Sequence, residues 1–341
     1  MRAVLLAEGK FGVFTAKTAV CFIRYRPDEA VAVIDSTKAG TTAERHIGIG
    51  RGIPVLGSVE ETLCFSPDTL VIGIAPGGGG LPQEYRVHIF DAIRAGMDVI
   101  SGLHVFLADD PELRTQAEKA GVKLTDLRRV PDDIPIGLNL ARDTKCLRVL
   151  TVGTDCNVGK MVAAWEIAAA LRARGRDAKF VATGQTGMLL AGDGLAVDRV
   201  ISDFVSGAVE KLVLDNAHHE MVVVEGQGTL QHPSYSGVTL SLIHGCAPQA
   251  MVLVHHPTRS FIKNHTVPIL PLSAQVKLYE ETAMLTCNPA RVAGIALNCS
   301  DLDERRARDE VEKARKETGL PATDVVMFGA DEIASSLEEM A

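Results

Sequence analysis

A glycine-rich segment in the middle of the chain, GTDCNVGKM at positions 153–161, strongly limits what this sequence can fold into. The apolar run at 146–152 predicts a buried strand before it, and the pattern at 160–174 predicts a helix after it. Glycines let the backbone curl around an anion, and a helix N-terminus offers unpaired N–H groups. The segment therefore predicts a phosphate-binding loop, with the Lys160 ammonium reaching the anion.

This loop departs from the usual phosphate loop in two ways. Five residues, rather than four, separate Gly153 from Gly159. Met161 follows the lysine, where nucleotide hydrolases carry Ser or Thr to hold Mg²⁺. A thioether is a poor ligand for that hard cation. The loop thus favours binding of a phosphate-bearing ligand over magnesium-dependent hydrolysis of ATP.

Short apolar runs alternate with helical patterns in both halves of the chain, which is typical of parallel α/β sheets. A stretch with two prolines and no periodicity, at 129–135, precedes the point where the pattern starts again. We therefore predict two parallel-sheet α/β domains, a Rossmann-like domain at 1–143 and a phosphate-loop domain at 144–341.

Composition excludes several classes of protein. The 341 residues carry 35 basic and 43 acidic side chains, a net charge of −8, which disfavours nucleic-acid binding. No stretch reaches the roughly 18 apolar residues of a membrane span, and the N-terminus does not read as a secretory signal. The seven cysteines are scattered without a CxxC pair, which favours a reducing cytoplasm and predicts no metal site.

The loop resembles that of dethiobiotin synthetase and its relatives. GTDCNVGK at 153–160 is similar to the GTDTxVGKT loop of that family, and VVEGQG at 223–228 is similar to its VEGAGG segment. A weaker similarity lies at 296–298, in a strand that ends near the nucleotide base in that family. The resemblance implies a C-terminal domain of the dethiobiotin synthetase type, in which the glutamate at position 225 helps to bind magnesium.

A second resemblance covers nearly the whole chain. ATGQTG at 182–187, VEGQGTLQHPSYSGV at 224–238 and HPTR at 256–259 are similar to segments of the DgcN family. The first half, with its glycine-rich run at 75–80, resembles the Rossmann-like domain of that family. Characterised members are D-glutamate N-acetyltransferases, so the resemblance implies transfer of an acetyl group from acetyl-CoA to the amino group of D-glutamate.

Acetyl transfer to an amine needs a base for the ammonium and a donor for the developing oxyanion. Three side chains are candidates for the base and stay open here: Glu225, Asp155 and His232. Gln185 is predicted to make an oxyanion-type contact. Cys156 is either a packing residue or an acetyl acceptor, because helix N-termini lower thiol pKa values.

The remaining site residues are predicted to bind ligands. Arg259 is predicted to grip a substrate carboxylate, because a guanidinium binds carboxylates through two bonds. Gln227 and Tyr235 are predicted to contact the same substrate. The phosphates of acetyl-CoA are predicted to lie against the loop, whose residues are Gly153, Thr154, Asp155, Cys156, Asn157, Val158, Gly159, Lys160 and Met161.

Two other functions compete with the acetyltransferase. The first is an ATP-dependent kinase or ligase of the dethiobiotin synthetase type, against which Met161 argues. The second is a non-catalytic sensor that binds a nucleotide or CoA. We expect a small-molecule substrate, no nucleic-acid or membrane partner, and a homo-oligomer.

Overall fold

The computed structural model describes residues 1–74 and 80–341, so most of the glycine-rich run at 75–80 lies outside the described residues. The chain divides into two compact units. Unit 1 comprises Met1–Arg129 with Met188–Gly192, and unit 2 comprises Val130–Gly187 with Asp193–Ala341. The domain boundary between 143 and 144 stays a prediction.

Unit 1 is built around a seven-stranded sheet. Its strand order is β3-β4-β2-β1-β5-β6-β7, and all pairs are parallel except β3 with β4. The strands are β1 (Ala3–Leu6), β2 (Ala30–Ile34), β3 (Thr41–Thr42), β4 (Pro54–Leu56), β5 (Thr69–Ile72), β6 (Asp98–Ser101) and β7 (Leu124–Asp126). The helices are α1 (Lys17–Tyr25), α2 (Ala43–Ile47), α3 (Val59–Thr62), α4 (Gln83–Arg94) and α5 (Pro111–Ala120).

Unit 2 contains a six-stranded, fully parallel sheet of order β13-β12-β11-β8-β10-β9. Its strands are β8 (Leu147–Gly153), β9 (Ala178–Val181), β10 (Met221–Val224), β11 (Ala250–His255), β12 (Arg291–Leu297) and β13 (Ala322–Asp324). The helices from residue 160 onward are α6 (Lys160–Ala173), α7 (Gln185–Ala191), α8 (Ser202–Asp215), α9 (Ser236–Cys246), α10 (Leu272–Ala283), α11 (Glu304–Thr318) and α12 (Asp331–Glu338).

The central strands of unit 2 are mostly apolar because helices cover both faces of a parallel sheet. All seven residues of β8 and all four of β10 are buried. Burial of such continuous runs is what stabilises the sheet, at about 25 cal/mol for each Å² of apolar surface removed from water. The prediction of two parallel-sheet α/β domains is therefore confirmed, with the short β3 as an antiparallel edge.

Strand order decides which loops can meet. The strand β8 lies between β10 and β11, and in a parallel sheet all carboxyl ends lie at one edge. The loop after β8, Glu225 after β10 and the segment after β11 therefore share that edge. Among the helices that the structure describes, none is long and apolar enough to cross a membrane.

Candidate functional site

The loop between β8 and α6 has the strand–loop–helix context that the sequence predicts. Its turn is made by two residues of positive φ, Asn157 at 54° and Gly159 at 109°. The Lys160 side chain is buried, with 6% of its residue surface exposed, and its Nζ donates to the Asp155 carbonyl oxygen at 2.8 Å. The lysine thus folds back over its own loop and holds it closed.

Asp155 and Arg259 clamp this loop. The Asp155 carboxylate is fully buried and accepts three hydrogen bonds, from the Cys156 N–H at 2.7 Å, the Lys263 N–H at 2.9 Å and the Arg259 Nη1 at 2.9 Å. The Arg259 guanidinium also donates to the carbonyl oxygens of Cys156 at 2.6 Å and Asn157 at 3.2 Å. The role of Arg259 in gripping a substrate carboxylate stays a prediction.

Glu225 is held rigidly at the end of β10. Its residue surface is 5% exposed, and its Oε2 accepts the backbone N–H groups of Thr183 at 3.1 Å and Gly184 at 3.2 Å. Gln227 braces the same turn, because its Nε2 donates to the Thr183 carbonyl oxygen at 2.6 Å. Gln185 begins α7 immediately after Gly184 and so lies at the margin of this arrangement.

The glycine after Glu225 is required by a close approach of two strand ends. The Gly226 N–H donates to the Thr151 Oγ1 at 2.9 Å, and a Cβ at Gly226 would lie 1.6 Å from the Thr151 carbonyl oxygen. No side chain fits there without separating β8 from β10. The glycine thus brings Glu225 to the loop that follows β8.

His232 is buried, and its Nδ1 accepts the Ser234 N–H at 3.0 Å. The neutral ring then carries its proton on Nε2, which makes Nε2 a donor. Burial lowers the pKa of His232, and the negative charge of Asp155 acts in the opposite direction. The ring lies against Tyr235, whose own side chain is largely exposed, with 4.6 Å between ring centroids. In this arrangement the His232 Nε2 is available as a hydrogen-bond donor rather than as a proton acceptor.

Asp155, Cys156 and His232 come together. One carboxylate oxygen, the Cys156 Sγ and one ring nitrogen of His232 all lie within 4.8 Å of one another. These are donor types that Zn²⁺ accepts. The Asp155 carboxylate and the His232 Nδ1 are, however, already engaged in hydrogen bonds. The expectation of no metal stays a prediction.

Cys156 is half-buried beside this carboxylate. Burial raises the pKa of the Cys156 thiol, and the nearby charge of Asp155 adds to that effect. The positive charges of Lys160, Arg259 and Lys263 lower it. The Cys156 thiol therefore lies near both negatively and positively charged side chains, in a loop that leads into α6.

Two residues that the sequence did not single out also hold the site. Tyr279, on α10, is fully buried and its hydroxyl donates to the Gly153 carbonyl oxygen at 2.7 Å. Burial raises the pKa of Tyr279 to about 12. Lys263 contributes its backbone N–H to Asp155. No local motif marks either residue, because both act through contacts distant in sequence.

The two adjacent histidines at the end of β11, His255 and His256, contact different partners. The His255 Nδ1 lies 2.9 Å from the Thr154 Oγ1, and burial lowers the pKa of His255 to about 4. The His256 Nδ1 lies 3.1 Å from the Thr258 Oγ1 instead. The first histidine thus supports the loop, and the pair does not face one ligand.

Known proteins are similar to this chain over nearly its whole length. A protein of Tritonibacter scottomollicae named D-glutamate N-acetyltransferase is 38% identical over 328 residues, which cover 95% of each chain. A protein of the same name from a Pseudoalteromonas species is 35% identical over 281 residues, covering 82% of this chain and 84% of that one.

A solved structure is also similar to this chain over almost its full length. The crystal structure of a DUF1611 family protein from Anabaena variabilis superimposes with a TM-score of 0.94 at 41% identity, covering 99% of both chains. The model of the DUF1611 P-loop domain, a domain of unknown function, matches residues 136–334, and that of the DUF1611 Rossmann-like N-terminal domain matches residues 36–130. The chain therefore belongs to the DUF1611 family.

Proposed function

We propose that this chain is an N-acetyltransferase that moves the acetyl group of acetyl-CoA to the amino group of D-glutamate. The observation that carries the proposal is the 38% identity to a D-glutamate N-acetyltransferase over 95% of both chains. Because this similarity spans both domains, it includes the loops at the carboxyl edge of the sheet in unit 2. Ligands bind at that edge in open α/β folds.

Glu225 is the base in this proposal. The ammonium of D-glutamate must lose a proton before its nitrogen can attack a thioester. Of the three candidates, Asp155 already accepts three hydrogen bonds, and His232 is held as a donor by Ser234. The Glu225 Oε2 accepts two backbone N–H groups, which hold the carboxylate at the end of β10, beside the loop that follows β8.

Acetyl-CoA meets the loop at 153–161 in this proposal. Lys160 is its buried cation, next to Asp155 and to the end of β10, where a Cβ at Gly226 would lie 3.3 Å from the Lys160 Cδ. Gln185 contributes a polar contact, and Gln227, Tyr235 and Arg259 are assigned to the amino acid. Replacement of Lys160 by Ala tests the loop, and an unchanged KM for acetyl-CoA would remove it from this role.

The direct test is release of free CoA from acetyl-CoA in the presence of a panel of D- and L-amino acids. A reaction without amino acid corrects for the seven cysteines of the protein, which react with thiol reagents. Release that depends on D-glutamate, with N-acetyl-D-glutamate identified by mass spectrometry, supports the proposal. Purified protein that releases no CoA with any amino acid of the panel would overturn it, and turnover of magnesium-ATP would then favour the kinase or ligase alternative.

Cellular location and assembly are part of the same proposal. We expect a cytoplasmic protein, since its cysteines are free and mostly buried in the described structure. We also expect a homo-oligomer, which light scattering of the purified protein tests directly.

A further inference from the structure

The loop contains a thiol next to a histidine and a carboxylate. The Cys156 Sγ, one His232 ring nitrogen and one Asp155 oxygen lie within 4.8 Å of one another, and both His232 and Asp155 are buried. Covalent catalysis needs a nucleophile held among groups that can stabilise its anion and the developing oxyanion. Here the Ser234 N–H fixes the tautomer of His232, so that Nε2 carries a donor proton.

The charged side chains around the loop at 153–161 do not favour the binding of phosphate groups there. The Arg259 guanidinium is paired with the buried Asp155 carboxylate, and the Lys160 Nζ already donates to the Asp155 carbonyl oxygen. A doubly charged pyrophosphate would have to lie beside the Asp155 carboxylate, and like charges in a buried site repel strongly. A thioester is neutral and develops a single negative charge on its oxygen only during reaction.

Building on the acetyl transfer proposed above, we propose that Cys156 is the nucleophile that accepts the acetyl group before the amino acid does. Acetyl-CoA then meets the loop with its thioester end. Its phosphates lie the full length of the pantetheine arm away, at another part of the protein. The reaction becomes two transfers through one covalent intermediate, an acetyl thioester on Cys156.

Both transfers balance. In the first, the Cys156 thiol loses its proton to solvent and Sγ attacks the carbonyl carbon of acetyl-CoA. The new C–S bond forms, the bond to the CoA sulfur breaks, and the departing CoA thiolate takes up a proton. In the second, Glu225 takes a proton from the ammonium and the amine nitrogen attacks the same carbon. The C–N bond forms, the bond to Cys156 Sγ breaks, the second proton lost by the nitrogen restores the thiol, and Glu225 releases the first proton to solvent.

The surrounding groups have distinct tasks in these steps. The His232 Nε2–H donates towards the thiolate or the oxyanion, as a neutral histidine can. Lys160, Arg259 and Lys263 stabilise the thiolate, which burial opposes. The α6 N-terminus adds its positive dipole end. Neutral His232 therefore stabilises negative charge by donating a hydrogen bond, and it does not accept the thiol proton.

The first experiment looks for the intermediate. Wild-type protein is mixed with acetyl-CoA and no amino acid, quenched in acid, and examined by intact and peptide mass spectrometry. We expect one acetyl group on the peptide that contains Cys156, which D-glutamate then removes. Cys64→Ser is the matched control, because Cys64 is exposed in unit 1 and reports non-enzymatic acetylation.

Two variants keep the test informative if one fails to fold. Cys156→Ala and the nearly isosteric Cys156→Ser should both lose the acetylated peptide and more than about 1,000-fold of kcat/KM. Isotope exchange between labelled CoA and acetyl-CoA without amino acid should occur in the wild type and vanish in both variants. Turnover with D-glutamate but no acetylated peptide and no exchange would overturn the intermediate while leaving the proposed function intact.

A truncated cosubstrate separates the two ends of acetyl-CoA. S-acetyl-pantetheine has the thioester but lacks the nucleotide phosphates. If the thioester lies at the loop, Lys160→Ala lowers kcat/KM by the same factor for both cosubstrates. If Lys160→Ala impairs only the reaction of acetyl-CoA, the loop binds phosphates, and Cys156 cannot reach the acetyl group.

Discussion

Gly187→Ala displaces the Glu225 carboxylate without changing Glu225 itself. A Cβ at Gly187 would lie 2.3 Å from the Glu225 Oε2, with Phe180 and Ala182 atoms at 3.1 Å on its other sides. An ordinary contact between carbon and oxygen is about 3.3 Å, so Oε2 must move by about 1 Å. That movement breaks one or both of its bonds to the N–H groups of Thr183 and Gly184.

The size of the effect follows from these bonds. Hydrogen bonds to a charged group contribute about 1.5–3 kcal/mol each, whereas Gly→Ala within a helix such as α7 gains about 1 kcal/mol. We expect the free energy of unfolding to fall by about 0.5–5 kcal/mol. Urea denaturation measures that change, and kcat/KM for D-glutamate, measured well below the melting temperature, should fall more than about 10-fold because the base is misplaced.

A matched control is available in α9. Gly237→Ala adds a methyl group to a helix where nothing lies within 4 Å of the new Cβ, so stability should rise slightly and activity should not change. Retention of full stability and full activity by Gly187→Ala would refute the reasoning. It would show that the position of the Glu225 carboxylate does not matter to the fold or to the reaction.

Three further predictions concern the clamp, acid stability and metals. Arg259→Ala leaves the buried Asp155 carboxylate without its guanidinium and should cost about 2–3 kcal/mol in urea unfolding, since Arg259 is partly exposed; Arg259→Lys should lose less, and equal losses would contradict the clamp. Because the pKa of His255 falls from 6.5 to about 4 on folding, the unfolded chain binds the extra proton. The free energy of unfolding should therefore decrease as pH falls from 6.5 to 4, and His255→Asn should reduce this dependence on pH. An unchanged dependence in His255→Asn would contradict the contribution of His255. Dialysis against EDTA should leave acetyl transfer unchanged, and an activity that EDTA removes and Zn²⁺ restores would place a metal at Asp155, Cys156 and His232.

Local sequence was sufficient to predict the frame of the site. The strand, loop and helix around 153–161 follow from an apolar run, two glycines and a lysine, and the structure has them as β8, the loop and α6. The position of Glu225 at a strand end was also readable, because MVVV before it is a continuous apolar run. Each of these features depends on neighbours within a few residues.

The roles of individual site residues were less predictable. The sequence marks His232 as a titratable group, and only the Ser234 N–H shows that its Nδ1 is an acceptor. The sequence predicts that Arg259 grips a substrate carboxylate, and that role stays a prediction; the contacts of its guanidinium with Asp155 and with loop carbonyls were not predictable. Hydrogen-bond partners depend on orientation, which a sequence does not contain.

The sequence alone therefore determined that this chain forms two parallel α/β domains with a glycine-rich loop between β8 and α6, and it identified the family through long motifs. Tertiary structure decided which side chains surround that loop. Asp155 and Arg259 are 104 positions apart, and Gly153 and Tyr279 are 126 apart. Periodicity and propensity act over a few residues, whereas such distant pairs meet only because β8 lies between β10 and β11 in the sheet.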